Sequence, residues 1–506
     1  MQRAIIRNAV FAALLGWTAL LGGAWAVPAA EAGAIVLALP AESTSLDACD
    51  DSSNVNARVL KGNVVEALTR LDPANGQVVP LLATEWSRAD DTNWLFTIRP
   101  GVKFHDGTPL DAKAVVASIN RTLNPDLACQ NIGLFPGKTS AAVESDMVVR
   151  VTTEAPDPIL PARIAYLDLS SPATPEKEKS DTAIGTGPYR IDSRAFGQSI
   201  LLVADDGYWG DRPSVTKATF VWREEPTIRA SMVKTGEADV AIDIPYAEAE
   251  GMRAEEYPTN AVFFLRPMLR KPPLDDARVR AAVSAAIDRD TLTEVLMEHS
   301  ATPAYQLVTA LINGHIPGYA GTPYDLDRAK ALLAEAKAAG VAVDTPITLV
   351  DRTDLFTGST EVAQAIRQML EDAGFKVELL SVDRVAWSPW ARKPDSLTQP
   401  VNLLMSAHDN ISGDASLSFP NNLGGGGRLS MNDDPALDEE LKAAGGLSGE
   451  ARAAAYQAAA KQAYDANIII PIAELQSRLV LSDRVDYQAN GFTDIILRLV
   501  DFKVKD

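Results

Sequence analysis

Short apolar runs and helical periodicities alternate along most of the chain. Residues 34–39 form an uninterrupted apolar run before Pro40, which predicts a buried strand. Residues 94–99 alternate between apolar and polar positions, and turn-forming residues follow at 100–101 and 106–107. This alternation predicts a half-buried hairpin.

Four segments carry apolar residues at helical spacing. The first follows Thr108, a predicted N-cap, with Pro109 at the first helical position, and extends to about Leu123. The other predicted helices cover residues 277–287, residues 325–339 and the segment from Val362 that Gly374 ends; a strand at 376–379 follows the last of these. Helices and strands therefore interleave, which is typical of an α/β protein.

Composition narrows the class of protein. The 506 residues correspond to about three domains, and 46% hydrophobic with 23% charged residues is typical of a globular chain. The formal net charge is −20, and no cluster of Lys and Arg occurs. Because such a surface repels phosphate backbones and anionic lipid headgroups, we expect neither nucleic acid nor the membrane surface as a partner.

The first thirty residues resemble an export signal. Arg3 and Arg7 precede the apolar run 9–21, and the small-residue site 24–26 follows. We expect a signal peptide at residues 1–26, with cleavage as late as residue 32 because 30–32 repeats the pattern. A membrane anchor is the alternative, but the run is shorter than the about 20 residues that span a bilayer. The absence of Cys near the cleavage site predicts a periplasmic protein that is not a lipoprotein.

The chain has two cysteines, Cys49 and Cys129. An exported protein meets an oxidising compartment, so we expect these residues to form a disulfide. Two buried free thiols are the alternative, since sequence spacing alone does not bring their Cα atoms within reach.

Motifs that carry catalysis or metal binding are absent from the sequence. No H-E-x-x-H, C-x-x-C or G-x-S-x-G occurs, and the four histidines are scattered. The glycine run 424–427 is followed by Arg428-Leu429-Ser430 rather than Gly-Lys-Ser/Thr, so we interpret it as a surface loop. We therefore expect no enzyme activity, no cofactor and no metal site.

Six collinear segments resemble the extracellular solute-binding proteins of family 5, the peptide- and nickel-type binding components of ABC importers. The most specific is F-T-I-R-P-G-V-K-F-H-D-G-T-P-L at 96–110, and G-T-G-P-Y follows at 185–189. The others lie at 62–72, 80–86, 273–280 with 286–289, and 324–333. In one place the chain departs from the peptide-binding relatives, since residues 264–268 read Phe-Leu-Arg-Pro-Met where those relatives usually keep an Asn.

The resemblance implies the two-lobed periplasmic-binding-protein fold of the large, cluster C type. We expect a first-lobe core from residues 33–55, 179–262 and 485–506, with an extra subdomain at 56–178. Residues 263–484 form the second lobe. A ligand that contacts both lobes stabilises the closed state over the open one.

The resemblance also nominates ligand-binding residues. The loop 406–416 resembles the family loop that carries an aspartate toward a ligand ammonium, so Asp409 is the candidate and Asp414 is the second choice. Arg352, directly after the predicted strand 347–350, is the candidate for an anionic end, because its planar fork binds carboxylate or phosphate. For both Asp409 and Arg352, a structural role within the loop is the alternative. Weaker candidates are His408 for a metal chelate, Trp387 and Trp390 for an aromatic wall, and Ser43 and Ser45 after the first strand.

The function that follows from the resemblance is capture of a peptide-like solute for import. The expected partners are an ABC permease and its ATPase, and we expect a monomer. An oligosaccharide, an opine-like solute or a metal chelate is an alternative ligand for the same fold. A secreted hydrolase is the alternative from another class, and a sensing or chaperone role is a further one.

Overall fold

The computed structural model describes residues 32–51, 54–135, 137–410, 413–491 and 496–505. The predicted signal peptide, residues 1–26, lies outside these ranges. From Gly33 onward the chain forms one unit. Within them, none of the helices combines the length and the apolar composition that crossing a bilayer requires.

Strands occur along the whole described chain and belong mostly to one sheet. In chain order they are β1 (Ala34–Leu39), β2 (Thr69–Leu71), β3 (Val78–Pro80), β4 (Ala83–Arg88), β5 (Asn93–Ile98), β6 (Thr139–Ser145), β7 (Val148–Thr153), β8 (Tyr189–Ala195), β9 (Ser199–Ala204), β10 (Lys217–Trp222), β11 (Val240–Ala241), β12 (Arg253–Pro267), β13 (Ala301–Pro303), β14 (Ile347–Arg352), β15 (Val377–Val382), β16 (Asn402–Asp409), β17 (Ile470–Leu481), β18 (Val485–Asp486) and β19 (Lys503–Val504).

Helices flank these strands and cover the sheet on both faces. In chain order they are α1 (Asn54–Leu60), α2 (Ala112–Thr122), α3 (Leu160–Ile164), α4 (Pro226–Thr235), α5 (Tyr246–Ala249), α6 (Ala277–Ala286), α7 (Arg289–Thr291), α8 (Leu326–Ala338), α9 (Ser359–Ala373), α10 (Arg384–Ala391), α11 (Phe419–Asn422), α12 (Pro435–Gly446) and α13 (Gly449–Asp465). The predicted α/β class is confirmed.

The main sheet passes through both lobes in the order β15-β14-β16-β12-β17-β11-β1-β10-β9-β8, with β13 also on β17. The long strands β12 and β17 pair along most of their length and belong to both lobes. A separate four-stranded sheet, β4-β5-β7-β6, forms the inserted subdomain with α2 and α3. The pairs β2–β3 and β18–β19 complete the described sheets.

The buried apolar residues form several separate cores. One core draws on residues 263–473, a second on three chain segments around β1, and a third on residues 68–169 of the inserted subdomain. Val64 and Val65 pack in the second core, and so do Leu479 and Leu481.

Aspartates cap the amino ends of α6, α8 and α2. Asp276 and Asp325 accept hydrogen bonds from backbone amides in the first turns of α6 and α8, as acidic N-caps do. At α2 the cap is Asp111, which accepts from the Ala114 amide at 2.9 Å, so the Thr108 prediction was wrong. Thr108 instead belongs to a turn in which its amide donates to Asp106.

Two glycines of the G-T-G-P-Y segment allow the chain to pass close to another backbone. A β-carbon at Gly185 would lie 2.0 Å from the Val64 carbonyl oxygen, and one at Gly187 would lie 2.3 Å from that of Asn63. The motif is therefore structural, because it lets residues 185–187 pack directly against the backbone of residues 63 and 64. His105 has a related role, since its Nε2–H donates to the Gly187 carbonyl at 2.9 Å.

Cys49 and Cys129 form a disulfide with their Cα atoms 5.3 Å apart. The bond joins the segment after β1 to the inserted subdomain, and Leu127 packs beside it. The predicted disulfide is therefore present, and the alternative of free thiols does not apply.

Candidate ligand-binding site

The two lobes meet where β12 and β17 pass between them. The pairing of these strands shifts register between Pro258 and Val262. Within the shift, Asn260 is buried and adopts a left-handed backbone conformation, with φ of 55°. Its side-chain amide donates to the Gly491 carbonyl at 2.5 Å and accepts from the Thr309 hydroxyl at 3.0 Å. These bonds fix the irregular segment at the junction of the lobes.

An interlobe cavity of about 690 Å³ lies between the inserted subdomain and the second lobe. Its volume falls in the range of about 300–1,000 Å³ that is usual for small-molecule sites. On one wall, the Arg163 guanidinium of the subdomain donates to the Ser416 hydroxyl of the second lobe at 3.3 Å. The cavity is lined by Gly133, Leu134, Arg163, Ser416, Leu417, Pro420, Asn421, Gly424, Gly426, Gly427, Arg428, Asp438, Leu441 and Lys442.

Three parallel strands of the second lobe end at one edge of the sheet. β14 pairs in parallel with both β15 and β16, so Arg352, Val382 and Asp409 lie at the same edge. The connection through α9 leads to one neighbour of β14, and the connection through α10 leads to the other. In open α/β sheets, such an edge is where ligands bind.

Asp409 is exposed at this edge, at the junction of the lobes. It is the last residue of β16 and pairs with Ala261 in the irregular part of β12. Among the residues that the structure describes, none forms a hydrogen bond or an ion pair with its carboxylate. The side chain is therefore available to a ligand.

His408 precedes Asp409 and is packed into the protein. Its Nε2 lies 2.7 Å from the Ser418 hydroxyl, which also accepts from the Asn410 amide at 2.5 Å. Burial lowers the pKa of His408, although the Asp409 charge acts in the opposite direction. The structure thus gives His408 a place in the network that holds the loop after β16. In the described ranges, no cluster of potential metal ligands includes it.

Asp414, the second choice for the ligand ammonium, has a partner within the protein. Its two oxygens accept from the Arg452 guanidinium at 2.7 and 2.8 Å, and the Asn313 amide donates to it at 2.8 Å. Burial alone would raise the pKa of Asp414, but the hydrogen bonds and charge of Arg452 outweigh it and hold the pKa below its ordinary value. Asp414 is therefore placed as a structural residue, and we leave it out of the proposed site.

Arg352 and Asp409 share an edge but not a face of the sheet. Val350 pairs with Leu404, so Arg352 lies level with residue 406 and its side chain is on the face opposite to that of Asp409. The Arg352 guanidinium lies 5.1 Å from the centre of the Trp387 ring, and its Nε lies 3.1 Å from Asp354. The two residues do not form one pocket.

A family comparison and the fold identify the class of the protein. The model of the bacterial extracellular solute-binding proteins, family 5 Middle, matches residues 77–424, which is more than half of the chain. The chain belongs to this family. The glutathione-binding protein GsiB of Salmonella paratyphi A is 29% identical over 383 residues, covering 72% of this chain and 73% of the relative.

Solved structures show the same fold at lower sequence identity. HbpA2 from Haemophilus parasuis has a TM-score of 0.81 at 19% identity, over 94% of this chain and all of the other. NikA from Brucella suis in complex with Fe(III)-EDTA has a TM-score of 0.79 at 20% identity, over 93% of this chain and all of the other. These similarities confirm the predicted two-lobed fold.

The remaining site candidates of this family 5 protein lie in its packing. Trp387 is buried and donates from its indole nitrogen to the Met405 carbonyl at 3.0 Å, while Trp390 packs beside it. Ser43 is buried and donates to Asn56 at 2.9 Å, and the Ser45 hydroxyl accepts from the Asp47 amide at 3.2 Å. These contacts make the four residues part of the cores and turns.

Sequence reasoning missed the cavity-lining residues of the family 5 protein. Arg163 lies on the short helix α3, which had no recognisable sequence signal. Arg428 directly follows the glycine run 424–427. A cation next to a glycine-rich loop was the sequence signal that could have indicated a binding residue. Lys442 lies one helical turn after Asp438 on α12, a pattern that exposed helix faces commonly show.

A second cavity lies within the first lobe but has only about 90 Å³. It is bordered by Lys61, which forms an ion pair with Asp168, and by Glu66, which accepts from Trp209 at 2.9 Å. Because these groups are paired and the volume holds only a few atoms, this cavity does not accommodate a peptide-sized solute.

Proposed function

We propose that this chain is the substrate-binding component of an ABC importer and that it captures a peptide-like solute between its lobes. The observation that carries the proposal is the interlobe cavity, whose lining combines Gly133, Leu134 and Arg163 of the inserted subdomain with residues 416–442 of the second lobe. The family match and the GsiB relative, named for glutathione, support a peptide-like ligand.

A bound solute shifts the lobes toward the closed state only by the difference in its affinity for the two states. A cavity with residues of both lobes in its wall provides this difference, because opening the lobes removes one set of contacts. We propose that a membrane permease of the ABC type receives the closed form, and that the protein acts as a periplasmic monomer. The solute leaves chemically unchanged.

We propose Asp409 as the anchor for the solute's ammonium group. Its carboxylate is exposed at the junction of the lobes and lacks a partner among the described residues. A carboxylate in this state attracts a cationic end by charge and accepts its hydrogen bonds. Arg352 remains a secondary anchor only for a ligand that reaches the opposite face of the sheet.

Thermal-shift screening with reduced glutathione, di- to pentapeptides, oligosaccharides, opines and nickel chelates tests the ligand class. A ligand at 100 times its Kd adds about 2.7 kcal/mol to the free energy of unfolding, so a true ligand is easily seen. Stabilisation by a sugar or a nickel chelate, without any by peptides, would show that the ligand class is wrong. Conversion of the peptide into product, detected by mass spectrometry, would replace the transport role with hydrolysis.

The Asp409→Asn variant tests the anchor. We expect the binding free energy of a peptide with a free amino end to weaken by about 2–5 kcal/mol, because a buried ligand charge loses its partner. Asp327→Asn, which removes an exposed acid from the outer helix α8, is the matched control. Isothermal titration that finds equal affinities for Asp409→Asn and wild type would remove Asp409 from the site.

A further inference from the structure

The charged side chains around the interlobe cavity are mostly cationic, although the protein as a whole carries a net charge of −20. Arg163, Arg428 and Lys442 line the cavity, and Asp438 is the acidic residue in its lining. We propose that this cavity binds an anionic group of the solute, a carboxylate, with Arg428 and Lys442 as its direct partners. The inference rests on the proposed capture of a peptide-like solute and specifies the chemistry of one end of it.

The side chains of Arg428 and Lys442 are free to meet a ligand. Both are exposed, and neither charged group forms a hydrogen bond or an ion pair within the described ranges. Arg163 differs, since it bonds Asp157 at 2.8 Å and the Leu134 carbonyl at 2.9 Å. We therefore assign Arg163 to the wall and the other two cations to the ligand.

Hydrogen bonds and close packing fix the position of the backbone around Arg428. The Lys393 amide donates to the Arg428 carbonyl at 2.9 Å, and the Leu429 amide donates to the Asn421 carbonyl at 3.2 Å. A β-carbon at Gly427 would lie 2.3 Å from the carbonyl oxygens of Pro420 and Asn421. The glycine run thus folds tightly against α11 and presents Arg428 at a fixed point of the cavity wall.

The acid in the lining is already engaged. Asp438 accepts from the Gly425 amide at 2.5 Å, within the same glycine run. Lys442 lies one turn further along α12, and the structure shows no ion pair between the two side chains. The carboxylate therefore organises the loop, while the charge of Lys442 remains available to a solute.

A buried cation lies behind this wall. Arg266 donates to the carbonyls of Trp390, Ala391 and Leu429 at 2.5 to 2.9 Å, and no described carboxylate forms an ion pair with it. Burial lowers the pKa of Arg266 to about 9, so its guanidinium is still charged at neutral pH. Arg266 belongs to the segment where the sequence departs from peptide-binding relatives.

Lys393 lies in a region where other cations raise the electrostatic potential. Its ammonium donates to the Gly425 carbonyl at 2.5 Å. Burial lowers the pKa of Lys393 and the charges of Arg270 and Arg266 lower it further, while Asp438 and Asp433 act in the opposite direction. Of these two acids, Asp438 is held by the Gly425 amide and Asp433 lies 3.9 Å from Arg270, so neither is paired with Arg428 or Lys442.

The Arg428→Gln/Lys442→Gln variant tests the assignment with three tripeptide probes: Ala-Ala-Ala with a free carboxylate, the same peptide as its C-terminal amide, and Ala-Ala-Glu. We expect wild type to bind the carboxylated probes more tightly than the amide. In the variant we expect their affinity to fall at least about tenfold, as charged hydrogen bonds are lost, and to become less sensitive to salt. Affinity for the amide is expected to stay the same.

Lys113→Gln/Lys330→Gln removes the same charge from exposed positions away from the cavity and is the matched control. Equal binding of the carboxylate and amide probes by wild type would overturn the inference and leave the proposed function standing. Failure of every peptide to bind would instead overturn the proposed function. Inorganic phosphate that stabilises wild type, but not the Arg428→Gln/Lys442→Gln variant, would assign the site to phosphate and overturn the carboxylate proposal.

Discussion

The two lobes compensate their buried cations in different ways. In the first lobe, Arg121 binds Asp47 and Lys61 binds Asp168, and each pair joins chain segments far apart in sequence. In the second lobe, Arg266, Arg280 and Arg289 are buried against backbone carbonyls without a carboxylate partner in the described chain. Two buried arginines are exceptions. Arg229 in the first lobe donates to the Ile242 carbonyl, and Arg452 in the second lobe forms an ion pair with Asp414.

The two lobes also differ in chain connectivity. The first lobe is assembled from separate segments and an insertion, so ion pairs and the Cys49–Cys129 bond join pieces that the backbone does not hold together. The second lobe is one continuous segment, and its arginines hold loops and helix ends together by donating to backbone carbonyls that are distant in sequence, such as those of Leu429, Ala466 and Pro471. One of these arginines, Arg266, bonds the Leu429 carbonyl and so places positive charge next to Arg428 of the interlobe cavity.

The largest expected effect comes from breaking a buried pair in the first lobe. Asp47 accepts from Arg121 at 2.6 and 2.8 Å and from the Ser180 amide at 2.7 Å. Arg121→Met leaves this carboxylate buried without its cation, so we expect a loss of about 3–5 kcal/mol in the free energy of unfolding. Urea unfolding measures this loss.

The Asp47→Asn substitution in the Arg121→Met background is the control. It removes the uncompensated charge, so we expect it to recover part of the lost stability. No recovery in the double variant would show that packing, and not charge, sets the cost.

A smaller effect is expected from the corresponding change in the second lobe. Arg266→Met removes hydrogen bonds to backbone carbonyls but leaves no carboxylate behind, so we expect a loss of about 1–3 kcal/mol. The same urea measurement applies. A loss as large as that of Arg121→Met would contradict the proposed difference between the lobes.

The smallest effect concerns one histidine in each lobe. Burial lowers the pKa of His105 and of His408, so the folded protein binds protons at these sites less readily than the unfolded chain. As the pH falls from about 7 to about 5, through the ordinary histidine pKa, we expect the free energy of unfolding to decrease. Denaturant titrations across this range measure the decrease.

Substituting these histidines is expected to flatten that dependence. In His105→Gln/His408→Gln the amide nitrogen replaces Nε2 and cannot titrate. His299→Gln changes an exposed histidine and is the control. A pH profile that is the same in wild type and the double variant would assign the dependence to other groups.

Most of the secondary structure could be predicted because its signals are local. The strand β1 and the helices α6, α8 and α9 follow from apolar spacing and from caps such as Asp276 and Gly374. The Thr108 cap failed because two capping patterns occur within four residues, and tertiary packing selected Asp111.

The candidate site was much less predictable. The sequence offered Asp409 as the first candidate and Asp414, five residues later, as the second, but only the fold brings Arg452 to Asp414. Likewise, the cavity cations Arg428 and Lys442 lie on a loop and a helix whose sequences carry no binding motif. Pairing between residues that are distant in sequence depends on the register of the sheet, which no local pattern contains.

The sequence by itself determined the α/β class, the family resemblance, the even pair of cysteines and the positions of most helices. Tertiary structure alone decided that Arg352 and Asp409 occupy opposite faces of one sheet edge and that an acidic protein has a cationic interlobe wall. The physical reason is the distance along the chain over which each kind of interaction acts. Periodicity and capping act over a few residues, whereas charge compensation depends on which distant segments the fold brings together.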